Sequence, residues 1–120
     1  MLLISNFIKQ FWQGITLVIL VLITLSSLYP AEYLPQVPGS DKTHHFIAYC
    51  ALMLPTALRR PKYWLAIALF FIVYSGVIEL IQPYVNRYGE WLDMAANTSG
   101  ILCGWLLAHF LLRTKQNVSN

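Results

Sequence analysis

Hydrophobic residues make up 58% of this 120-residue chain and charged residues only 11%, against roughly 45–50% and about 25% in a soluble domain. That balance excludes a soluble two-domain protein. The net charge of +3 is spread thinly over the edges of apolar runs, which leaves no concentrated basic face for nucleic acid.

Four runs carry no charge: Gln10 to Ala31, Thr43 to Leu58, Tyr63 to Ile78 and Met94 to Leu112. A helix crossing about 30 Å of hydrocarbon needs roughly 20 residues. The first and last runs meet this alone. The middle two meet it only if the second helix begins near Asp41 and the third continues through Glu79 to Gln82. The pattern predicts an all-α, polytopic bundle of four transmembrane helices, spanning 10–29, 41–58, 63–82 and 93–112 within a single domain over 1–120.

Lys9 precedes the first span as it would a secretory signal, but the apolar stretch exceeds the usual core of about 7–15 residues and no A-x-A-like cleavage site follows. It reads as an uncleaved anchor. The segment from Pro30 to Ser40 holds Pro30, Pro35, Pro38 and Gly39, which favours an extended, stiff loop over a helix.

Ser40 suits the N-cap of the second helix, and Asp41 in its first turn complements the helix dipole. Those two residues can simply finish a helix. His45 is harder to explain that way, because it lies four residues after Asp41 on the same face, with Tyr49 one turn further. Cys50 in this helix and Cys103 in the fourth read as small buried hydrophobes, with no close spacing to suggest a disulfide or metal.

In the third helix Glu79 and Gln82, three apart, share a face. Glu79 is about 24 Å along the axis from Tyr63, close enough to hydrocarbon that an unpartnered carboxylate is costly. Arg87 and Lys42 are the nearest cations along the chain. Pro83 should stop or kink this helix, and Asn86-Arg87-Tyr88-Gly89 reads as a turn. In the fourth helix Asp93 and Asn97 are four apart, with Glu90 just before them. Ala96, Gly100, Gly104 and Ala108 continue below as a small-residue strip that lets helices approach closely in lipid.

Of the eight cationic side chains, six (Lys9, Arg59, Arg60, Lys62, Arg113 and Lys115) fall on one side of the four-span model, and only Lys42 and Arg87 on the other. The positive-inside rule then puts both termini in the cytoplasm. Glu32, Asp41, Glu79, Glu90 and Asp93 all fall on or near the outer face. So do Lys42, His45, Gln82, Arg87 and Asn97. Polar groups converging at one membrane face from three stretches of sequence read as a site.

The strings Asp41-Lys42-x-x-His45-Phe46-x-x-Tyr49, Glu79-x-x-Gln82 and Arg87-x-x-Glu90-x-x-Asp93-x-x-x-Asn97-x-x-Gly100-x-x-x-Gly104 resemble the signature of the VanZ-like membrane proteins, over about residues 41 to 104. His44, beside His45, is an addition. The resemblance implies a small multi-pass protein of the bacterial cytoplasmic membrane, in a family whose named member is associated with resistance to the glycopeptide teicoplanin. It does not fix an activity.

Three functions fit. In the first, Asp41, Lys42, His45, Glu79, Gln82, Arg87, Asp93 and Asn97 bind an envelope molecule: a membrane lipid, a lipid-linked cell-wall precursor or a glycopeptide. In the second they form an enzyme, with His45, Glu79 or Asp93 catalytic and Arg87 or Lys42 stabilising negative charge; no motif such as G-x-S-x-G is present. In the third they are a satisfied interhelical network in a scaffold. A homo-oligomer is compatible with each. No metal or other cofactor is assigned, since no tight ligand motif occurs, although His45, Glu79, Asp41 and Asp93 have the chemistry to hold a divalent ion.

Overall fold

The computed structural model describes residues 2–30, 33, 40–85, 87 and 89–119. Five α-helices make up the fold: α1 (Leu2–Gln10), α2 (Trp12–Leu28), α3 (Asp41–Arg59), α4 (Trp64–Ile81) and α5 (Trp91–Ser119), with a 3-10 turn over Gln82–Val85 after α4. No strand occurs among the described residues. Successive helices from α2 to α5 run in alternating directions. The end of α2, the start of α3, the end of α4 and the start of α5 therefore meet at one end of the bundle.

Local chemistry sets most of these boundaries as the sequence predicts. The Ser40 hydroxyl accepts the Thr43 backbone N–H at 3.2 Å, so Ser40 is the N-cap of α3. Pro83 falls where α4 gives way to the 3-10 turn. Arg60 closes α3 in a left-handed conformation, φ 53°, with its N–H donating to the Thr56 carbonyl at 2.8 Å. Much of the Pro30–Ser40 loop, together with Asn86 and Tyr88 of the expected turn, lies outside the described residues.

The first span departs from expectation. An additional helix, α1, precedes it, and the chain bends by 80° between α1 and α2. Phe11 absorbs that bend with φ −108° and ψ 25°. Phe11 stands among Lys9, Gln10 and Gln13, with no proline nearby and the nearest glycine three residues on, so no helix breaker marks the bend. The fourth helix is also longer than expected, continuing to Ser119.

α3 is the hub. Its residues Tyr49, Leu52, Met53, Thr56 and Ala57, at helical spacing, are buried, and it packs on all four other helices, most extensively on α5. Gly100 and Gly104 explain that closeness. A Cβ at Gly100 would collide with the Phe46 carbonyl, and one at Gly104 would lie 2.6 Å from the Cys50 carbonyl. The two backbones touch at Gly100 and Gly104, within a strip Asp93, Asn97, Gly100, Gly104 and Ala108 whose members are all buried. Cys50 and Cys103 are free, half-buried rather than buried, and side by side across this interface.

The outward surface is apolar. Leu17, Val21 and Leu25 of α2, Leu69, Phe70 and Val73 of α4, and Leu102, Leu106 and Phe110 of α5 are all exposed by more than two-fifths. A patch of that extent has no place in water. α4 continued to Val85 and α5 are each long and apolar enough to cross a membrane, and the bent α1–α2 pair makes a third if counted as one span. α3 does not join them. Asp41, Lys42, His44 and His45 occupy its first two turns, and the neighbours it packs on, rather than lipid, cover much of its surface.

Candidate functional site

At the end of the bundle where α3 and α5 begin, the chain buries an unusual amount of polarity. Gln82 and Asn97 are each 1% exposed, Asp93 6% and Glu79 8%. Glu79 and Gln82 come from the end of α4, Asp93 and Asn97 from the first turns of α5, and His45 from the second turn of α3. One ligand-capable atom from each of His45, Glu79 and Asp93 lies within 4.8 Å of the others.

Each arrives by a local device. The glycine strip draws α5 onto α3, which brings Asp93 toward α3's N-terminal turns; Asp93 Oδ2 is 3.9 Å from His45 Nε2. Lys42, one turn before His45, sends its Nζ to Glu90 Oε2 at 3.1 Å and toward Asp93 Oδ1 at 3.6 Å. Gly89 lets the connection into α5 fold back onto α4, because a Cβ there would collide with the Glu79 carbonyl. The next residue, Glu90, then donates its backbone N–H to Glu79 Oε2 at 3.2 Å. The Asn97 side chain lies beside the Glu79 carboxylate, and the buried Tyr49 is near enough to feel its charge.

The predicted residues therefore divide. His45, Glu79, Asp93 and Asn97 come together, Lys42 closes the rim, and Gln82 lies one turn beyond Glu79. Gln82 spends its amide on α2, donating from Nε2 to the Ser27 carbonyl at 3.2 Å. Arg87 also turns to α2, its Nη1 donating to the Ser26 carbonyl at 2.9 Å and the Tyr29 carbonyl at 3.2 Å. These were orphan acceptors of a helix C-terminus, so Arg87 serves as a cap. Asp41 is exposed and makes no side-chain hydrogen bond or ion pair with another described residue. The partner of Glu79 is neither Lys42 nor Arg87 but the Glu90 N–H.

Two participants were not in the predicted set. Glu90 contributes both its carboxylate, to Lys42, and its N–H, to Glu79. Tyr49, one turn along α3 from His45, is buried nearby. Their spacing, Glu90 three before Asp93 and Tyr49 four after His45, was the only available signal.

Of the five buried side-chain oxygens without a hydrogen-bond partner among the described residues, four stand at this end, Glu79 Oε1, Gln82 Oε1, Asp93 Oδ1 and Asn97 Oδ1; the fifth is Thr56 Oγ1, deeper in α3. Buried polar atoms are nearly always satisfied in native proteins, so such a group of orphans calls for an explanation. With both carboxylates ionised, all four only accept. The arrangement is suited to a cation or to a ligand rich in N–H or O–H groups.

The family model described as VanZ/LLP1 matches residues 1–113. The chain belongs to the VanZ-like family. The match reaches beyond the polar strings at residues 41 to 104 and takes in α1 and α2 as well, so this is a VanZ-like membrane protein over nearly its whole length. No curated protein and no solved structure matches it.

Proposed function

We propose that this VanZ-like protein crosses the bacterial cytoplasmic membrane four times with both termini inside, and that its polar cluster faces outward to recognise an envelope molecule. The candidates are the head group of a membrane lipid, a lipid-linked cell-wall precursor or a teicoplanin-type glycopeptide. One observation carries the reading: Glu79 Oε1, Asn97 Oδ1 and Gln82 Oε1 are buried with no hydrogen-bond partner, and Asp93 Oδ1 has only the Lys42 ammonium at 3.6 Å. A scaffold network would be satisfied internally; a recognition site leaves groups for its ligand.

The opposite end of the bundle supports the orientation. A cavity of about 620 Å³ there is lined by Lys9, Arg60, Arg113 and Lys115, as expected of a cytoplasmic rim. In this arrangement α2 stands along the membrane normal and α1, bent by 80°, lies in the interface. Leu3, Ile4 and Phe7, all exposed, would then enter the acyl boundary.

The test uses Glu79→Gln and Asp93→Asn, which keep shape and remove charge. Both should abolish the envelope phenotype, assayed first as reduced susceptibility to teicoplanin in a Gram-positive host, at near-normal protein abundance, because insertion depends on the apolar spans. Arg87→Ala is not an equivalent probe, since it also uncaps α2. Full activity of both variants at normal abundance would reject the recognition site.

A further inference from the structure

The proposed ligands pose an electrostatic problem. Lipid head groups and cell-wall precursors carry phosphate, whereas the cluster presents Glu79, Glu90 and Asp93 with only Lys42 among them, already engaged by Glu90 and Asp93. Arg87, the other cation of this end, is spent on the carbonyls of Ser26 and Tyr29. An acidic, partly desolvated pocket repels an anion. Something positive is missing.

We infer that His45, Glu79 and Asp93 bind a divalent metal ion of the zinc class, with the Asn97 side-chain oxygen as an auxiliary ligand, and that this ion is what an anionic head group meets. The inference rests on the recognition reading for its purpose but on separate observations for its existence. The first is geometric: the three ligand atoms lie within 4.8 Å of one another. Two atoms each about 2.1 Å from one tetrahedral zinc ion are about 3.4 Å apart, so each ligand atom must move by up to about 1 Å to close the site, within reach of side-chain torsions. The second is the set of orphaned acceptors. Asn97, 1% exposed, lies beside Glu79 with its Oδ1 unpartnered, as is Glu79 Oε1, while Asp93 Oδ1 makes no hydrogen bond and has only Lys42 Nζ at 3.6 Å. Water could donate to these oxygens but brings no charge.

The donor set selects the ion. One imidazole and two carboxylates, without thiolate, fit zinc, and manganese less closely; magnesium and calcium prefer oxygen alone. His45, Glu79 and Asp93 alone would leave a tetrahedral ion one open position for a phosphate oxygen or a water; with Asn97 also bound, that oxygen would displace it or take a fifth position. Lys42 stands at the rim, 3.6 Å from Asp93, placed to meet a second oxygen of the same phosphate.

The experiment takes the full-length protein in detergent, strips it with EDTA, and adds zinc chloride. Elemental analysis after gel filtration should find about one zinc per chain, and the thermal midpoint should rise with zinc. Glu79→Gln, Asp93→Asn and His45→Ala should each weaken zinc binding at least about tenfold, while Asp41→Asn should leave it unchanged. Because a variant can fail by misfolding, the double variant Glu79→Gln/Asp93→Asn is compared with wild type under EDTA. The chelator should lower the midpoint of wild type only. Stoichiometric zinc on the double variant, or no zinc on folded wild type, overturns the metal site. A separate arm adds short-chain phosphatidylglycerol with and without zinc. Zinc binding without any lipid binding in that arm would count against an anionic lipid head group as the recognised molecule and leave the metal site standing; zinc-independent lipid binding to a protein that takes up no zinc would do the reverse.

Discussion

Glu79 shows how a single buried carboxylate organises its surroundings. Its helix delivers it to a place where solvation is poor, and the chain answers with one backbone N–H, that of Glu90, held at 3.2 Å. That contact depends on a residue with no side chain. A Cβ at Gly89 would collide with the Glu79 carbonyl and lie 3.5 Å from Pro83 Cδ, so Gly89→Ala must push the connection away from α4 and take the Glu90 N–H with it. Losing a hydrogen bond to a charged, buried acceptor costs about 1–3 kcal/mol. Denaturant or thermal unfolding in detergent should register that loss, and a variant as stable as wild type would refute the claim that Gly89 is kept for close approach. The Lys42–Glu90 pair is a different case. Both side chains are about half exposed, and such pairs contribute little to stability. Its value would lie in positioning Lys42 over Asp93.

Among the elements, the α3–α5 contact determines whether a site exists at all, because it is what carries Asp93 and Asn97 to His45. Gly100→Ala should therefore be costly. The new methyl meets backbone atoms, the Phe46 carbonyl and the Cys50 N–H, and backbone cannot rotate away as a side chain can. Overpacking of this kind costs about 1–3 kcal/mol or more. Gly14→Ala provides the opposite sign: nothing lies within 4 Å of its Cβ position in the exposed start of α2, so alanine should stabilise by about 0.5–1 kcal/mol through helix propensity. Measured side by side in the same detergent, equal effects of the two substitutions would undo the packing argument. Much at this scale was legible in the sequence. The Ser40 cap, the Pro83 stop and the glycine strip act through immediate neighbours or a fixed helical period, and each stands where the spacing put it. The α1–α2 bend was not legible, because no proline or glycine stands at Phe11 to mark it. The roles of Glu90 and Arg87 were also hidden. A backbone N–H has no letter in the sequence, and the carbonyls that Arg87 caps became its partners only once α2 and α4 had packed.

For the whole molecule, charge and burial divide along one axis. Acidic and amide side chains collect where α3 and α5 begin, while Lys9, Arg60, Arg113 and Lys115 surround the cavity at the far end. There Arg60 donates to His109 Nδ1 at 2.7 Å and lies 5.0 Å from the centre of the Trp105 ring, itself stacked on Trp64. Aromatic residues mark both levels: Tyr29, Tyr84 and Trp91 stand exposed near the polar cluster and Tyr63 near the cationic end, as aromatic belts do at the two membrane surfaces. α3 lies between these levels, covered by protein, which is why its polar first turns are compatible with a span that composition alone does not recognise. The proposed four-span arrangement makes a direct prediction. In a background carrying Cys50→Ser and Cys103→Ser, single cysteines at Tyr33 and Tyr84 should react in intact cells with a thiol reagent that cannot cross the membrane. Cysteines at Lys62 and Val118 should react only after the membrane is permeabilised. All four positions are exposed on the protein, so accessibility is set by the membrane alone. Labelling of Tyr33→Cys and Val118→Cys from the same side would mean that α3 to α5 cross an even number of times rather than three, and the polar cluster would then lose its claim to the outer face.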